Sequence, residues 1–325
     1  MRAVLESRKV RKVLGAASLA FAVVCCACTS ASGRAPHKDA REAGQHGAVV
    51  TVGSFDFPES VVLAEVYGGA LAAKGFPVRI QPDLGSREIV DPALMGGLIQ
   101  VVPEYAGSAV DFLSLGRVPG TSDVAATNRA LSGLVARQRL VVGNPAAAQD
   151  ANVIVVTAAT AARYHLRSVA DLAGVASRLV FGGPPECPGR AYCLPGLKRV
   201  YGLRFRTFVP LDAGGPLTLQ AIEGRHVDVA LLFSTDPALV AQHLVVLADD
   251  RGLQPAENVT PLLRGDVVAR FGARLVDVLN AVSGRLDTSS LRALNAQVEL
   301  SGRDPRRVAG DWLRDRGLAE RDPVW

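Results

Sequence analysis

The chain has 325 residues, of which 49% are hydrophobic and 21% charged, so it is long enough for two lobes that each bury a core. Its formal net charge of +5 lies wholly in residues 1–46, which hold eight Lys or Arg and three Asp or Glu. The remainder is neutral, which argues against the basic surface of a nucleic-acid-binding protein.

The N-terminus has the layout of a secretory signal peptide over residues 1–28. Basic residues between Arg8 and Lys12 precede an uncharged, mostly apolar stretch, which is shorter than the roughly 20 residues that span a bilayer as a helix. The stretch runs into Cys25-Cys26-Ala27-Cys28. A small residue before a cysteine resembles the lipobox of bacterial lipoproteins. Cys28 is the predicted lipidation site, with Cys26 as the second choice and an uncleaved anchor or a plain signal peptide as alternatives.

Residues 29–47 are rich in Ser, Gly, Ala and charge without an apolar period, and they predict a flexible tether between the lipid and the folded part. We therefore expect an exported protein that is anchored to the outer face of the cell membrane. The folded part has two cysteines, Cys187 and Cys193. Export implies an oxidising compartment, where such a close pair normally forms a disulfide. No Cys or His nearby completes a zinc site, so neither a metal nor another cofactor is expected.

Short apolar runs alternate with helical patterns from residue 48 onward. Strands are predicted at 49–52, 78–80, 98–102 and 140–142, with helices from Pro58 to Lys74, over 86–97 and, twice, before residue 140. A second unit predicts strands at 153–156, 179–181, 206–209 and 227–233 and helices near 169–173, 197–201 and 217–223. The run 245–247 predicts a strand that returns to the first unit, and 266–316 predicts helices.

This alternation predicts an α/β protein whose mostly parallel sheets are flanked by helices. The two crossings between units fall near residues 149–152 and 233–244. We therefore predict one lobe from 48–149 plus 244–325, a second lobe from 150–243, and a ligand cleft between them.

Six stretches in one unbroken order over about residues 48–318 resemble a single family. They are VGSFDFPE (52–59), LGSREIV (84–90), PEYAGSA (103–109), FGGPPE (181–186), LPGLKRVYGL (194–203) and FSTD (233–236). Together they resemble the substrate-binding proteins of ABC transporters for glycine betaine, choline and related osmoprotectants. The resemblance implies a two-lobed periplasmic-binding-protein fold, type II-like, with hinge closure on a ligand and docking to a permease.

The resemblance also implies a site. The family holds a quaternary ammonium in a box of aromatic rings, because ring faces attract a cation that donates no hydrogen bonds. The matching positions are Tyr105 and Phe233 for two walls, Ser108 for a hydroxyl, and Arg190 for a partner of a ligand carboxylate. Further candidates for ligand binding are Ser54, Asp56, Ser234 and Thr235. The alternative for Ser54 and Asp56 is a role as helix caps before Pro58.

Two departures from the family pattern predict a different ligand preference. Asn152 stands where betaine binders often have a Tyr, and Leu217 lies near a second such position. Each missing ring removes a desolvated cation–π contact of about 2 kcal/mol. We therefore predict weak glycine betaine binding. Asp150 and Asn152 are candidates for hydrogen bonds to a ligand with hydroxyls or amines, and a structural role in the hinge turn is their alternative.

The predicted function is that of a solute-binding lipoprotein of an ABC importer, with permease subunits and a small ligand as partners. Binding of a different hydroxylated or aromatic metabolite, or a lipid-anchored ligand sensor, are the alternatives. An enzyme on the same fold would need a nucleophile with a base. Cys187 has Cys193 as its partner and no His in its motif, so no catalytic residue is predicted.

Overall fold

The computed structural model describes residues 49–320, and these form two lobes that are each built on a five-stranded sheet. The predicted signal peptide, the tether and Cys28 lie outside the described residues. Within residues 49–320, no helix is both long and apolar enough to cross a membrane.

Lobe 1 contains the first sheet, with strand order β2-β1-β3-β10-β4. Its strands are β1 (Val50–Gly53), β2 (Val78–Gln81), β3 (Val101–Tyr105), β4 (Leu140–Val142) and β10 (Val259–Arg264). Its helices are α1 (Pro58–Ala73), α2 (Arg87–Gly96), α3 (Ala106–Ser114), α4 (Val124–Val135), α9 (Gly265–Phe271), α10 (Ala273–Ser283), α11 (Thr288–Glu299) and α12 (Pro305–Asp315). Only β10 runs against the other strands of this sheet.

Lobe 2 contains the second sheet, with strand order β7-β6-β8-β5-β9. Its strands are β5 (Asn152–Val156), β6 (Val180–Gly183), β7 (Thr207–Pro210), β8 (Val229–Phe233) and β9 (Val245–Leu247). Its α-helices are α5 (Ala158–Tyr164), α6 (Leu194–Tyr201), α7 (Pro216–Glu223) and α8 (Ala238–Ala241). Again one strand, β5, runs opposite to the rest.

Local sequence explains several of these boundaries. Pro58 stands in the first turn of α1, where its missing N–H removes no helical hydrogen bond. Gly97 ends α2 with a φ of 83°, a left-handed conformation that glycine adopts without strain. Gly53 leaves room for Ile99, since a Cβ there would lie 2.6 Å from its Cδ1 atom.

Side chains on both faces of the second sheet are buried. Ile154 and Val156 of β5 belong to one apolar cluster, whereas Val155 belongs to another. Successive side chains of a strand point to opposite faces, so these two clusters are the two sides of the sheet. Because both faces are covered, residues 153–156 of β5 are all apolar instead of alternating with polar residues.

Two chain segments connect the lobes and run antiparallel to each other. Gln149 and Asn258 form an isolated β-bridge. On either side of it, the N–H of Asp150 donates to the carbonyl of Glu257 at 3.1 Å and the N–H of Val259 donates to that of Ala148 at 3.0 Å. This hydrogen-bonded pair of crossings is the hinge between the lobes.

The predicted α/β fold with two lobes is confirmed, and most strands in each sheet share one direction. The prediction that residues 245–247 return to the first lobe is wrong, because β9 pairs with β5 in the second sheet. The strand that returns is β10, which the sequence reading missed, together with the short helix α5. A three-residue apolar run shows that a strand forms but does not identify its partner.

Candidate functional site

A cleft lies between the lobes, where the carboxyl ends of their strands meet. Phe55 and Phe57 follow β1, Tyr105 ends β3, and Phe233 ends β8. Strand carboxyl ends are the usual ligand location in open α/β sheets. The cleft has a volume of about 130 Å³. It is therefore suited to one small molecule.

Aromatic rings from both lobes form a continuous cluster in the cleft. The centroid of the Phe57 ring lies 5.9 Å from those of Phe55 and Tyr105 and 5.3 Å from that of Phe233. Tyr192 of lobe 2 adds a fifth ring to the lining. Because Phe233 and Tyr192 belong to lobe 2 and the others to lobe 1, a ligand that packs against these rings contacts both lobes.

Tyr105 is held in place by a buried carboxyl group. Its hydroxyl donates to Oε1 of Glu59 at 2.7 Å, and Nδ2 of Asn295 donates to Oε2 at 2.6 Å. The hydroxyl of Thr235 donates to the same Oε2 atom. Burial raises the pKa of Glu59, although these hydrogen bonds oppose the effect. Since Thr235 lies in lobe 2, Glu59 also connects the lobes behind the rings.

Asp150 lines the cleft at the first crossing. Its Oδ1 atom accepts from the N–H of Thr235 at 3.0 Å and from the hydroxyl of Ser234 at 3.2 Å. Burial and the nearby charge of Glu59 raise the pKa of Asp150 well above its usual range. Asp150 therefore occupies both predicted positions, at the cleft wall and in the hinge turn.

Both arginines in the cleft lining already have carboxylate partners. Arg87 donates through Nε and Nη2 to the two oxygens of Glu104, at 2.7 and 2.8 Å. Its guanidinium also lies 5.1 Å from the centroid of the Phe55 ring. Arg190, from lobe 2, donates through Nη2 to Glu88 of lobe 1 at 2.7 Å. The second ion pair thus crosses the mouth of the cleft.

Glu257, from the second crossing, is a further carboxyl group of the cleft lining. Its Oε1 accepts from the hydroxyl of Ser108 at 2.6 Å, and its Oε2 accepts from the N–H of the same residue at 3.0 Å. Burial raises the pKa of Glu257 to about 7. Ser108 lies one turn beyond Tyr105, so the carboxyl group is fixed against the start of α3.

A disulfide joins Cys187 and Cys193, with 5.3 Å between their Cα atoms. The loop between them carries Arg190 and Tyr192 into the cleft. Asn152 supports the loop, because its Nδ2 donates to the carbonyl of Tyr192 at 3.4 Å. Asn152 lines the cleft with its amide already engaged, and it also contacts the side-chain oxygen of Gln254 at 3.3 Å.

Seven of the ten residues predicted to bind ligand line the cleft: Asp56, Tyr105, Ser108, Asp150, Asn152, Arg190 and Phe233. Ser54 is buried and lies outside the lining. Its hydroxyl donates to the carbonyl of Phe55 at 2.8 Å and accepts from the N–H of Asp83 at 2.9 Å. Ser234 and Thr235 also lie outside the lining and hold Asp150 and Glu59 instead. Neither Ser54 nor Asp56 caps α1, which begins after Phe57 without a side-chain cap.

Comparison with known proteins identifies the family. Residues 48–315 match the model for the substrate binding domain of ABC-type glycine betaine transport system. The chain belongs to this family. The glycine-betaine-binding protein of Pseudomonas aeruginosa is 28% identical over 83% of this chain and 88% of its own length. The glycine betaine-binding protein YehZ of Escherichia coli is 26% identical over 84% and 92%, respectively.

Solved structures show the same fold as this ABC-transporter substrate-binding protein. The crystal structure of a glycine betaine/carnitine/choline ABC transporter superposes with a TM-score of 0.65 at 24% identity, over 83% of this chain and 99% of that one. The two relatives are glycine betaine-binding proteins, and the family model describes the substrate binding domain of an ABC-type transport system. The solute-binding role predicted from the sequence is therefore confirmed at the level of the family.

The cleft of this substrate-binding protein also contains residues that the sequence reading did not select. Among them are Phe55, Phe57, Arg87, Tyr192 and Glu257. The first three lie inside stretches that resemble the family, so their motifs offered a signal. Tyr192 lies between the paired cysteines, and Glu257 lies in a crossing that no motif marks.

Proposed function

We propose that this protein captures a small quaternary ammonium solute in the interlobe cleft and delivers it to the permease of its ABC transporter. The observation that carries the proposal is the ring cluster of Phe55, Phe57, Tyr105 and Phe233. A trimethylammonium group donates no N–H, so hydrogen-bonding side chains cannot recognise it. The faces of aromatic rings attract it electrostatically, by up to about 2 kcal/mol per contact when desolvated.

The charges around the cleft also favour a cation. Five acidic residues line the cleft, compared with two arginines that are each paired with a carboxylate. Asp150 adds little to this excess, because burial and the charge of Glu59 raise its pKa well above the usual range. In a desolvated site the ionised carboxylates attract a positive ligand and oppose a further carboxylate. The acidic residues are Asp56, Asp111, Asp150, Glu186 and Glu257.

The cleft has aromatic walls at positions other than Asn152 and Leu217. Leu217 is 58% exposed and lies outside the cleft lining. Asn152 lines the cleft, but Phe55, Phe57 and Tyr192 supply rings that the count of family positions left out. Weak binding of glycine betaine remains a prediction, supported now by the acidic excess, because betaine carries a carboxylate that choline lacks.

Calorimetry tests the proposal with a matched pair of ligands. Choline and 3,3-dimethyl-1-butanol have the same shape, but only choline is charged. Choline is expected to bind at least about tenfold more tightly, because the rings and carboxylates act on its charge. Equal affinity for the two ligands would show that the cleft recognises the shape of the ligand and not its charge. Mass spectrometry of the recovered ligand is expected to show it unchanged, as it is for a binding protein.

Export and anchoring complete the proposal. We place the lipid on Cys28, since Ala27 precedes it at the end of the apolar stretch. Metabolic labelling with a clickable palmitate analogue separates the alternatives in Cys26→Ser and Cys28→Ser variants. Loss of label only in Cys28→Ser is expected. Loss of label only in Cys26→Ser would place the lipid on Cys26. An unlabelled wild-type protein would indicate a plain signal peptide or an uncleaved anchor.

A further inference from the structure

We propose that Glu257 is the specificity-determining residue that makes the cleft prefer a net cation with a hydroxyl over a zwitterion with a carboxylate. The inference rests on the proposed function and extends it by naming a residue and the ligand chemistry that this residue selects.

The position of Glu257 is fixed by the hinge. Its backbone carbonyl accepts from the N–H of Asp150 at 3.1 Å, and its neighbour Asn258 forms the β-bridge between the crossings. The residue is only 2% exposed, yet it lines the ligand cleft. A ligand in the cleft therefore lies beside a carboxyl group that bulk water hardly reaches.

The carboxylate retains hydrogen-bonding capacity. Ser108 supplies one donor to each of its oxygens, whereas an ionised carboxylate has about four acceptor positions. The free positions accept from a donor such as a ligand hydroxyl. A ligand carboxylate has no proton to offer at neutral pH and meets like charge instead.

No basic side chain among residues 49–320 pairs with Glu257 within 4.0 Å. Charged and titratable groups near it are Arg87 on α2, Glu104 on β3 and Tyr192 in the disulfide loop. Arg87 is bound through two nitrogens to Glu104, so its charge only partly offsets that of Glu257. Burial without a counter-ion raises the pKa of Glu257 to about 7, and a bound cation supplies the missing positive charge.

The test is the ratio of choline to glycine betaine affinity in wild-type protein and Glu257→Gln, measured by calorimetry at pH 8.5. The glutamine keeps the shape and removes the charge. We expect the choline preference to fall by about tenfold or more, with choline weakened and betaine unchanged or improved. Glu299→Gln is the matched control, because it removes a half-buried acid with a raised pKa on α11, outside the cleft lining. Its ratio is expected to equal that of wild type.

Wild-type protein provides a second test that needs no variant. Choline and betaine do not titrate between pH 5.5 and 8.5, so a change in their affinity ratio reports on the protein. The ratio is expected to shift toward betaine at pH 5.5, and this shift is expected to shrink in Glu257→Gln. If wild type binds both ligands and Glu257→Gln has the same ratio of choline to betaine affinity, the inference about Glu257 is overturned. The proposed function would stand in that case. Failure of wild type to bind either ligand would overturn the proposed function and the inference together.

Discussion

Arg190 and Glu88 meet across the mouth of the cleft, with 2.7 Å between Nη2 and Oε2, although they belong to different lobes. The Arg190 guanidinium also lies 5.4 Å from the ring centroid of Phe112 in lobe 1. Both contacts are possible only when the disulfide loop approaches lobe 1. We therefore expect Arg190 to hold the cleft closed, whereas the family resemblance implied a contact with a ligand carboxylate.

Breaking this ion pair is expected to speed ligand release. Its side chains are 24% and 48% exposed, so solvent screens the pair and its contribution is at most about 1 kcal/mol, or about fivefold in rate. Stopped-flow measurement of choline dissociation from Glu88→Gln and Arg190→Gln is expected to show similar increases. Loss of betaine binding in Arg190→Gln alone, with Glu88→Gln unaffected, would instead assign Arg190 to the ligand carboxylate.

Replacing the central ring of the cluster is expected to weaken choline binding strongly. Phe57→Leu keeps an apolar side chain but removes a ring face, at a cost of about 2 kcal/mol or about thirtyfold in affinity. Calorimetry measures the loss, and Phe271→Leu, whose ring packs against Phe76, is the control. If Phe57→Leu binds choline as wild type does, the cluster is a structural core and does not form the cation site.

Residues of the cleft could be predicted from the sequence only where a family-like motif marked them. Tyr105 and Phe233 were found because they match aromatic walls of the family within stretches that resemble it, and both line the cleft. Phe55 and Phe57 lie in one of those stretches too, but the polar residues beside them suggested helix capping. In a sequence, an apolar residue of a ligand site cannot be distinguished from a core residue. The distinction requires the positions of the neighbouring strand ends in the folded protein.

The remaining misses involve contacts distant in sequence. Glu257 and Ser108 are 149 positions apart, and their pairing depends on where the second crossing falls. That crossing was misplaced because β9 was assigned to the wrong lobe. Strand identity followed from local pattern, whereas strand partnership depended on long-range packing that no short pattern encodes.

The Cys187–Cys193 disulfide is expected to stabilise the protein modestly. The loop that it closes is short, so the entropy that the cross-link removes from the unfolded chain corresponds to only about 2 kcal/mol. Denaturant unfolding of the double variant Cys187→Ser, Cys193→Ser should show a decrease of this size. Peptide mass mapping of the exported protein is expected to find the two cysteines linked, and two free thiols would contradict the prediction.

The ligand-free protein is expected to be more stable at pH 5 than at pH 8. Burial raises the pKa of Glu257 to about 7 and that of Glu299 to about 8, from 4.5. The folded state therefore binds more protons than the unfolded state within this window, so stability falls as the pH rises through it. Glu257 accounts for at most about 3 kcal/mol of the change.

Urea unfolding at the two pH values measures this dependence, and Glu257→Gln is expected to reduce it. Greater stability of wild type at pH 8 would mean that Glu257 and Glu299 are ionised at little cost in the folded protein. That result would also remove the electrostatic support for a cationic ligand.

The most direct test of the account is a calorimetric titration of the purified protein with choline at pH 8.5. The ring cluster and the acidic cleft predict binding of one choline per protein, at micromolar affinity or better and more tightly than glycine betaine. Absence of binding to choline, glycine betaine and carnitine alike would contradict the central claim that the cleft receives a quaternary ammonium solute.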